Sequence, residues 1–574
     1  MNTLARPAPI KIPVWRSRVL LLLFLTGFLI LIARAFYLQN LNTGFLLEKG
    51  AARYSRVIEI NAHRGMITDR HGEPLAVSAP VESVWASPSD VKASSAQLRA
   101  LAKILNMNQA ELQRRLQPGA REFVYLKRHL APQTATLITQ LNIPGIFLKR
   151  EYRRFYPATD GTSHLLGFTG VDDNGQEGLE LAYQEWLAGK PGSRRVIKNR
   201  VGQIIEDIEN IKVPEPGRDL VLSIDRRIQY LAFRELSIAV AQHKAKAGSI
   251  VVLDAKSGEV LALANLPSFN PNKREKVGAA RLRNRAITDL FEPGSTLKPF
   301  TVAAAMEAGL YKPGSMIQTA PGYLTVGAAT IHDAHPHGML SVAQVIQKSS
   351  NVGSAKIALE LPRKTLWQVY KNLGYGEPPQ TGFPGEAAGR VRPYASWRPI
   401  EQATMAFGHG ISVSLLQLAR SYMVFANDGE IKPISLLKIN DAPAGERVFS
   451  PYVAQQIRSM LELVVQPGGT ALQAQIPGYR VAGKTGTAHK LAGRSYAVKS
   501  YISSFVGMAP ASDPRYIVAV MIDDPSGGQY YGGAVAAPAF ASVMGGVLRI
   551  QNVPADAAPA DNAVVRWQRP AKEG

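Results

Sequence analysis

Phe291–Leu310 reads FEPGSTLKPFTVAAAMEAGL, and the reading of this stretch decides what kind of domain surrounds it. Pro293-Gly294 ends a loop. The run from Ser295 is then apolar nearly all round at helical spacing, the pattern of a helix inside a core. Ser295 stands at its first turn, where unpaired backbone N–H groups and the positive dipole end favour a developing oxyanion. Lys298, three residues on, lies on the same helix face. A lysine held in a partly buried pocket near other cations loses its proton near neutral pH and can act as a base. The S-x-x-K tetrad alone proves nothing, because the chain repeats it at Ser89–Lys92 and Ser435–Lys438. Ser89 lies in a polar turn before a surface helix, and Ser435 lies in the alternating, strand-like PISLLKI, so both are read as coincidences.

Two further elements raise the specificity. Ser349-Ser350-Asn351 follows SVAQVIQK at the end of an amphipathic helical pattern, although Ser268-Phe269-Asn270 has the same S-x-N form. Lys484-Thr485-Gly486-Thr487 holds the only K-T-G in the chain and sits in a strand pattern. Gly486 there would let another backbone approach, as substrate pairing along a strand edge requires. In this order, S-x-x-K, S-x-N and K-T-G form the signature of penicillin-binding proteins and serine β-lactamases.

The remainder of the 574 residues bounds the setting. There is no cysteine, which excludes disulfides, thiol catalysis and thiolate metal sites. The formal net charge of +22 favours an anionic partner: nucleic acid, lipid or a wall polymer. Val19–Leu38, VLLLLFLTGFLILIARAFYL, is long enough to span the ~30 Å core of a bilayer. Arg6, Lys11, Arg16 and Arg18 precede it with no acidic residue, which places residues 1–18 in the cytoplasm and the rest outside. Ala33-Arg34-Ala35 resembles a signal-peptide cleavage site, but the apolar run is long for a signal and resumes beyond it, so an uncleaved single-pass anchor at 19–38 is expected. Export argues against nucleic acid.

Residues 40–54 read as a polar juxtamembrane helix, and a mixed segment of short strands and helices runs to about Ile211, with a hairpin turn at Arg70–Glu73. The two prolines and glycine of KVPEPGRDLVLSID mark the main boundary, around Pro214–Asp219. Beyond it come a helix (RRIQYLAFRELSIAVAQHKAK), a hairpin at Ser249–Ala264, a mostly helical block from about Leu282 to Leu463, and returning strands. Strands at both ends with helices between predict an α+β domain whose antiparallel sheet joins distant segments. The Ala- and Pro-rich tail, 551–574, is expected to be disordered.

With these motifs in place, nearly the whole chain resembles a class B penicillin-binding protein. AHRGMITDRHGEPLA, YPATDGTSHLLGFTG and GQEGLELAYQEWLAG resemble that family's non-catalytic pedestal. IVVLDAKSGEVLALANLPSFNPN and FEPGSTLKPF resemble the opening of its transpeptidase domain. QKSSNVGSAKIA, TGFPGEAAG, WRPIEQATMAFGHGISVSLLQLA and VAGKTGTAHK are similar to the division-type, septal members (FtsI-type, penicillin-binding protein 3). Leu297 and Ser414 depart from the usual pattern without touching an expected catalytic atom.

The resemblance implies an elongated α/β pedestal at 39–213, named for dimerisation in this family, and a serine β-lactamase-like transpeptidase domain at 219–550, its antiparallel sheet flanked by helices. It also implies roles. Ser295 would attack the penultimate D-Ala carbonyl of a D-Ala-D-Ala stem peptide, with Lys298 as general base. Ser349 would relay the proton to the leaving amine, supported by Lys484. Asn351 would bind the donor peptide's amides, and Thr485, Gly486 and Thr487 its terminal carboxylate region or that of a β-lactam. Backbone N–H groups of Ser295 and Thr487 would form the oxyanion hole, a contact class worth about 3 kcal/mol in the transition state. An amine from a second stem peptide then takes the acyl group, and water in its place gives a carboxypeptidase-like side reaction. No cofactor or metal is implied. Implied partners are a glycan-polymerising membrane enzyme of the FtsW type and other divisome proteins, at the bacterial inner membrane with the catalytic domain periplasmic.

Competing readings are weaker. A β-lactamase shares the motifs but not the anchor, pedestal and size. A bifunctional class A enzyme needs a glycosyltransferase domain with paired glutamates, and no such motif occurs. An elongation-type relative would share the chemistry, and a silent scaffold would not need Ser295, Lys298 and Lys484 intact. IHDAHPHGM brings His332, Asp333, His335 and His337 together, but not at the spacing of a helix-borne zinc motif; a polar loop near the active-site rim is expected.

Overall fold

The computed structural model describes residues 13–41, 55–117, 123–198, 204–273, 277–492 and 495–557. Most of the basic N-terminal tail, most of the expected juxtamembrane helix and residues 558–574 of the tail lie outside them. Among the described residues one helix, α1 (Val14–Phe36), is long and apolar enough to cross a membrane, and none of its side chains is buried by protein, which suggests single-pass anchoring. It begins at Val14 rather than at Val19, directly after Pro13. Proline cannot continue a helix in the N-terminal direction but is tolerated at its start. The Arg34 guanidinium lies 5.4 Å over the Tyr37 ring, the interfacial pairing expected of a snorkelling cation.

Beyond this helix the chain forms two compact units, each discontinuous in sequence. The first includes 83–149 and 190–215. Its strands Ser55–Ile60, Gly192–Lys198 and Ile204–Lys212 form an antiparallel sheet, with Val57 opposite Arg195. Its helices Ser95–Leu105 and Gln109–Arg115 are capped by Ser94 and Asn108 and close over Val84, Leu101, Leu105, Leu112, Leu126 and Ile138.

Among the described residues the second unit comprises 63–82, 150–189 and the chain from 216 to 557. Three stretches distant in sequence meet in it through charge. Glu180 is fully buried, and its carboxylate accepts from Arg64 Nε at 2.8 Å and from Arg154 Nε at 2.6 Å, while Arg154 also donates to the Gly65 carbonyl at 2.8 Å. Such a group is costly to bury and costlier to leave unpaired, so the three segments are fixed together. The expected hairpin turn is present: the Asp69 carboxylate accepts from the His71 and Glu73 N–H groups at 2.8 and 2.9 Å.

The larger part of this unit is built on α2 (Arg226–Gln242), then the hairpin β1 (Ala247–Asp254) and β2 (Val260–Leu266). Next come α3 (Lys298–Glu307), α4 (Val342–Lys348), α5 (Asn351–Glu360) and α6 (Leu415–Ser421). The strands β3 (Ala482–Ala492), β4 (Ser495–Ala509) and β5 (Tyr516–Asp523) return, and α7 (Ala537–Ile550) closes the domain. Spatial order in the sheet is β2-β1-β5-β4-β3, all antiparallel, so the first hairpin pairs with strands more than two hundred residues later, as Ile250 opposite Val520 illustrates. Every residue of β1 is buried, because α2 and α7 cover one face of the sheet and α6 packs on the other. Burying each large apolar side chain there is worth about 1.5–3 kcal/mol. The mostly helical block is interrupted by three small two-stranded sheets: Met316–Gln318 with Met339–Ser341, Tyr323–Val326 with Ala329–His332, which turns at Gly327 with φ +65°, and Glu430–Ile431 with Glu446–Arg447.

Candidate active site

Ser295 lies in a 3₁₀ turn, Gly294–Leu297, and the α-helix proper starts only at Lys298. This corrects the expectation that Ser295 occupies the α-helix's first turn. α3 is buried from Lys298 to Met306, as an all-round apolar helix must be. The turn is braced on several sides. Phe291 and Val413 exchange two backbone hydrogen bonds of 3.0 Å, the Glu292 carboxylate accepts from Gly410 N–H at 2.8 Å, and Tyr422 Oη donates to the Thr296 carbonyl at 2.8 Å. Gly408, at φ +84°, backs directly onto Gly294; a Cβ there would stand 2.3 Å from the Gly294 oxygen.

The second motif arrives from the end of α4. Ser349 is that helix's C-cap and adopts a left-handed conformation, φ +59°, which swings its hydroxyl back toward α3. Lys298 Nζ donates to both the Ser349 carbonyl and, at 3.1 Å, Ser349 Oγ. Lys484 Nζ, from β3, donates to the same Oγ at 2.9 Å. Two lysines, 51 and 135 positions away from Ser349 in sequence, thus converge on its hydroxyl.

The electrostatics follow from burial. Both lysines are fully buried. Burial, then the neighbouring Lys484 cation, holds Lys298 well below the ordinary lysine range. Burial pushes Lys484 down to about 7. Two ammonium groups on one buried hydroxyl cannot both remain charged at low cost, and the lowering of Lys298 by burial and by Lys484 favours a free amine there, able to accept a proton.

The third motif lies on β3, which is an edge strand because only β4 pairs with it. Thr485 Oγ1 sits 2.9 Å from Thr470 Oγ1, and Thr487 Oγ1 accepts from Gly532 N–H at 3.1 Å. Gly486 has a nearer reason to be glycine than substrate pairing. A Cβ there would lie 2.3 Å from Ser504 Oγ and 3.0 Å from both the Pro293 oxygen and Thr296 Cγ2, so the strand presses against the turn that carries Ser295. A Cβ on Gly294 would likewise meet the Thr487 oxygen at 3.3 Å, which puts the turn and the edge strand side by side where the two oxyanion N–H groups were expected.

A cavity of about 730 Å³ opens over this constellation, lined by Ser295, Ser349, Asn351, Thr485 and Thr487. That is the size range of a small-molecule or peptide-end site. The decoys lie elsewhere: Ser435 Oγ donates to the Leu437 carbonyl, and Ser268 Oγ to the Asp160 carbonyl. His332, Asp333, His335 and His337 sit on the cavity rim. No group of three or more His, Cys, Asp or Glu side chains able to hold a metal ion is present among the described residues.

Sequence reasoning passed over two wall residues, Thr470 and His409, and read a third, Asp333, only as part of a polar rim loop. Thr470 supports Thr485. His409, beside Phe407 at a ring separation of 5.2 Å, has its imidazole pushed down to about 4 by burial, then by Lys298 and His489, and so stays neutral. Asp333 accepts from the Ser350 hydroxyl at 2.7 Å. Only the glycines around His409 hinted at a tight turn, and nothing local marked its neighbours.

Comparison with known proteins agrees with this geometry. The family model for the penicillin binding protein transpeptidase domain matches residues 248–545. The chain belongs to the penicillin-binding protein transpeptidase family. The family's dimerisation domain matches residues 59–222. Among curated relatives, the probable peptidoglycan D,D-transpeptidase PbpC of Pseudomonas aeruginosa is 42% identical over 94% of this chain and 96% of its own length. The peptidoglycan D,D-transpeptidase FtsI of Escherichia coli is 42% identical over 95% of this chain and 93% of its own. Among solved structures, the apo transpeptidase domain of Burkholderia pseudomallei penicillin-binding protein 3 shares 47% identity with a TM-score of 0.55, covering 59% of this chain and 98% of that one.

Proposed function

We propose that this penicillin-binding protein is a membrane-anchored, serine-type peptidoglycan D,D-transpeptidase. The observation that carries the reading is the convergence of Lys298 and Lys484 on Ser349 Oγ in the cavity that also holds Ser295. The names of the relatives support the same substrate class.

The chemistry follows from the charge states. Neutral Lys298 takes the Ser295 Oγ proton as Oγ attacks the penultimate D-Ala carbonyl carbon of a stem peptide. The oxyanion accepts hydrogen bonds from the Ser295 and Thr487 N–H groups. Ser349, bonded to both lysines, passes a proton to the departing nitrogen; the C–N bond breaks and D-Ala leaves. Asn351 holds the donor peptide's amides, while Thr485 and Thr487, with Gly486 between them, receive its carboxylate. An amine of a second stem peptide then attacks the ester, the cross-link forms, and Ser295 recovers its proton. A β-lactam acylates Ser295 by the same first step.

The four basic residues Arg6, Lys11, Arg16 and Arg18 support an N-terminus in the cytoplasm and a periplasmic catalytic domain, at the inner membrane. The FtsI name of the Escherichia coli relative favours a septal role over an elongation one, with a glycosyltransferase of the FtsW type and divisome proteins as partners. Residues 39–213 serve as the pedestal and 219–550 as the catalytic domain in this reading.

The test is intact-mass spectrometry of the detergent-solubilised chain mixed with benzylpenicillin, beside Ser295→Ala. A stable penicilloyl adduct on the parent alone is expected. An adduct that turns over with catalytic consumption of penicillin would move the reading to a β-lactamase. No adduct on the folded parent would refute it.

A further inference from the structure

The rim loop IHDAHPHGM has no role in the reaction so far, yet it makes the densest set of bonds to the S-x-N motif. Asp333 Oδ1 accepts from the Asn351 N–H at 2.5 Å and from the Val352 N–H at 3.0 Å. Asp333 Oδ2 accepts from Ser350 Oγ at 2.7 Å, and Ser350 Oγ in turn accepts from the Gly353 N–H at 2.9 Å. One carboxylate therefore satisfies, directly or through one hydroxyl, the first three N–H groups of α5. The adjacent His332 carbonyl accepts from Asn351 Nδ2 at 2.8 Å, fixing that side chain as well.

The loop is itself anchored. The Asp333 N–H donates to the Gly322 carbonyl at 2.9 Å, and His332 pairs with Tyr323 across a short hairpin. Gly322, at φ +96°, lies so close to Pro336 that a Cβ would stand 2.8 Å from that ring, so the loop closes on itself. Between α4 and α5 only Ser349 and Ser350 connect the helices, and Ser349 holds a left-handed conformation that non-glycine residues adopt only when their surroundings impose it.

We propose that Asp333 is a positioning residue for the acyl transfer: its carboxylate clamps Ser350, Asn351 and Val352 and so fixes Ser349 Oγ and Asn351 against the Ser295 cavity. The inference rests on the transpeptidase reading above. A second consequence separates this role from mere packing. Asp333 is the negative charge acting on Lys298, opposing the lowering by burial and Lys484; the third group coupled to Lys298 is His409, which is neutral. Removing the Asp333 charge lowers the Lys298 pKa further. Acylation needs the free amine, so its acid limb moves to lower pH.

The experiment compares benzylpenicillin acylation rates of the full-length, detergent-solubilised parent, Asp333→Asn and Ser350→Ala across the acid and neutral range, with thermal melting of each. Asp333→Asn is expected to lose roughly 10- to 100-fold in plateau rate, since the amide keeps only one acceptor oxygen for the Asn351 and Val352 N–H groups and turns its own N–H group on the Ser350 hydroxyl, which must give up donating there. Its acid limb should lie below the parent's. Ser350→Ala, which keeps the charge, should lose a smaller factor with the limb unmoved. Parent-like rates and limb in Asp333→Asn overturn the proposal, as does a uniform loss that tracks a fall in melting temperature with no shift in the limb. If Asp333→Asn does not fold, a parent-like rate in Ser350→Ala overturns it and a reduced rate with parent-like melting supports it. A parent that takes no penicilloyl group refutes the transpeptidase reading itself; an acylated parent matched by Asp333→Asn refutes only the role of Asp333.

Discussion

Substituting Gly486 by alanine tests whether the K-T-G strand positions the nucleophile or only receives substrate. The added methyl would begin 2.3 Å from Ser504 Oγ and 3.0 Å from the Pro293 oxygen and Thr296 Cγ2. Both latter atoms belong to the segment that carries Ser295. The turn cannot retreat freely, because Tyr422 holds the Thr296 carbonyl and Phe291 is bonded to Val413. Overpacking of this kind costs about 1–3 kcal/mol in stability. A shift of a few tenths of an ångström at the nucleophile is expected to slow acylation roughly 10- to 100-fold, or about 1.4–2.7 kcal/mol in the barrier. Removing Ser504 Oγ as well, in Gly486→Ala/Ser504→Ala, relieves the shortest contact but not those to Pro293 and Thr296. Melting temperature should therefore recover more than the rate does. Stopped-flow acylation by a chromogenic β-lactam, with calorimetry on the same samples, measures both. A single variant that acylates at the parent rate would refute the argument, as would a double variant that regains the full rate.

Two further perturbations follow. Lys298 and Lys484 are both held below their unfolded value of about 10.4, so between about pH 7 and 10 the unfolded chain binds protons that the native state does not, and stability rises with pH through that window. Urea titrations should show this rise in the parent and a flatter profile in Lys298→Met/Lys484→Met; identical slopes would contradict the neutral-amine assignment. Glu180→Ala leaves the guanidinium groups of Arg64 and Arg154 buried without their counter-ion and is expected to cost about 3–5 kcal/mol by denaturant unfolding, whereas an effect below about 1 kcal/mol would mean the cluster is solvated.

Much of the molecule was legible in one dimension because its signals are local. A tetrad at a Pro-Gly turn, an apolar run too uniform for a surface helix, a single K-T-G in a strand and an N-terminal stretch of bilayer length each occupy only a few consecutive residues. Their order along the chain sufficed to suggest the chemistry, and the hairpin Ser249–Ala264 and the late strands sufficed to suggest a sheet closed by distant segments. What could not be read were properties that exist only where segments meet. No pattern near Gly486 says that Pro293 lies against it, and no pattern near Ser349 says that two lysines will share its hydroxyl. Asp333 read only as part of a polar rim loop because its helix-capping bonds cross a gap of 17 to 19 residues. The neutrality of Lys298 depends on complete burial beside a second cation. Residue identity supplied the reacting groups; the dielectric around them, and hence which one holds the proton, is set by packing that only the folded chain possesses.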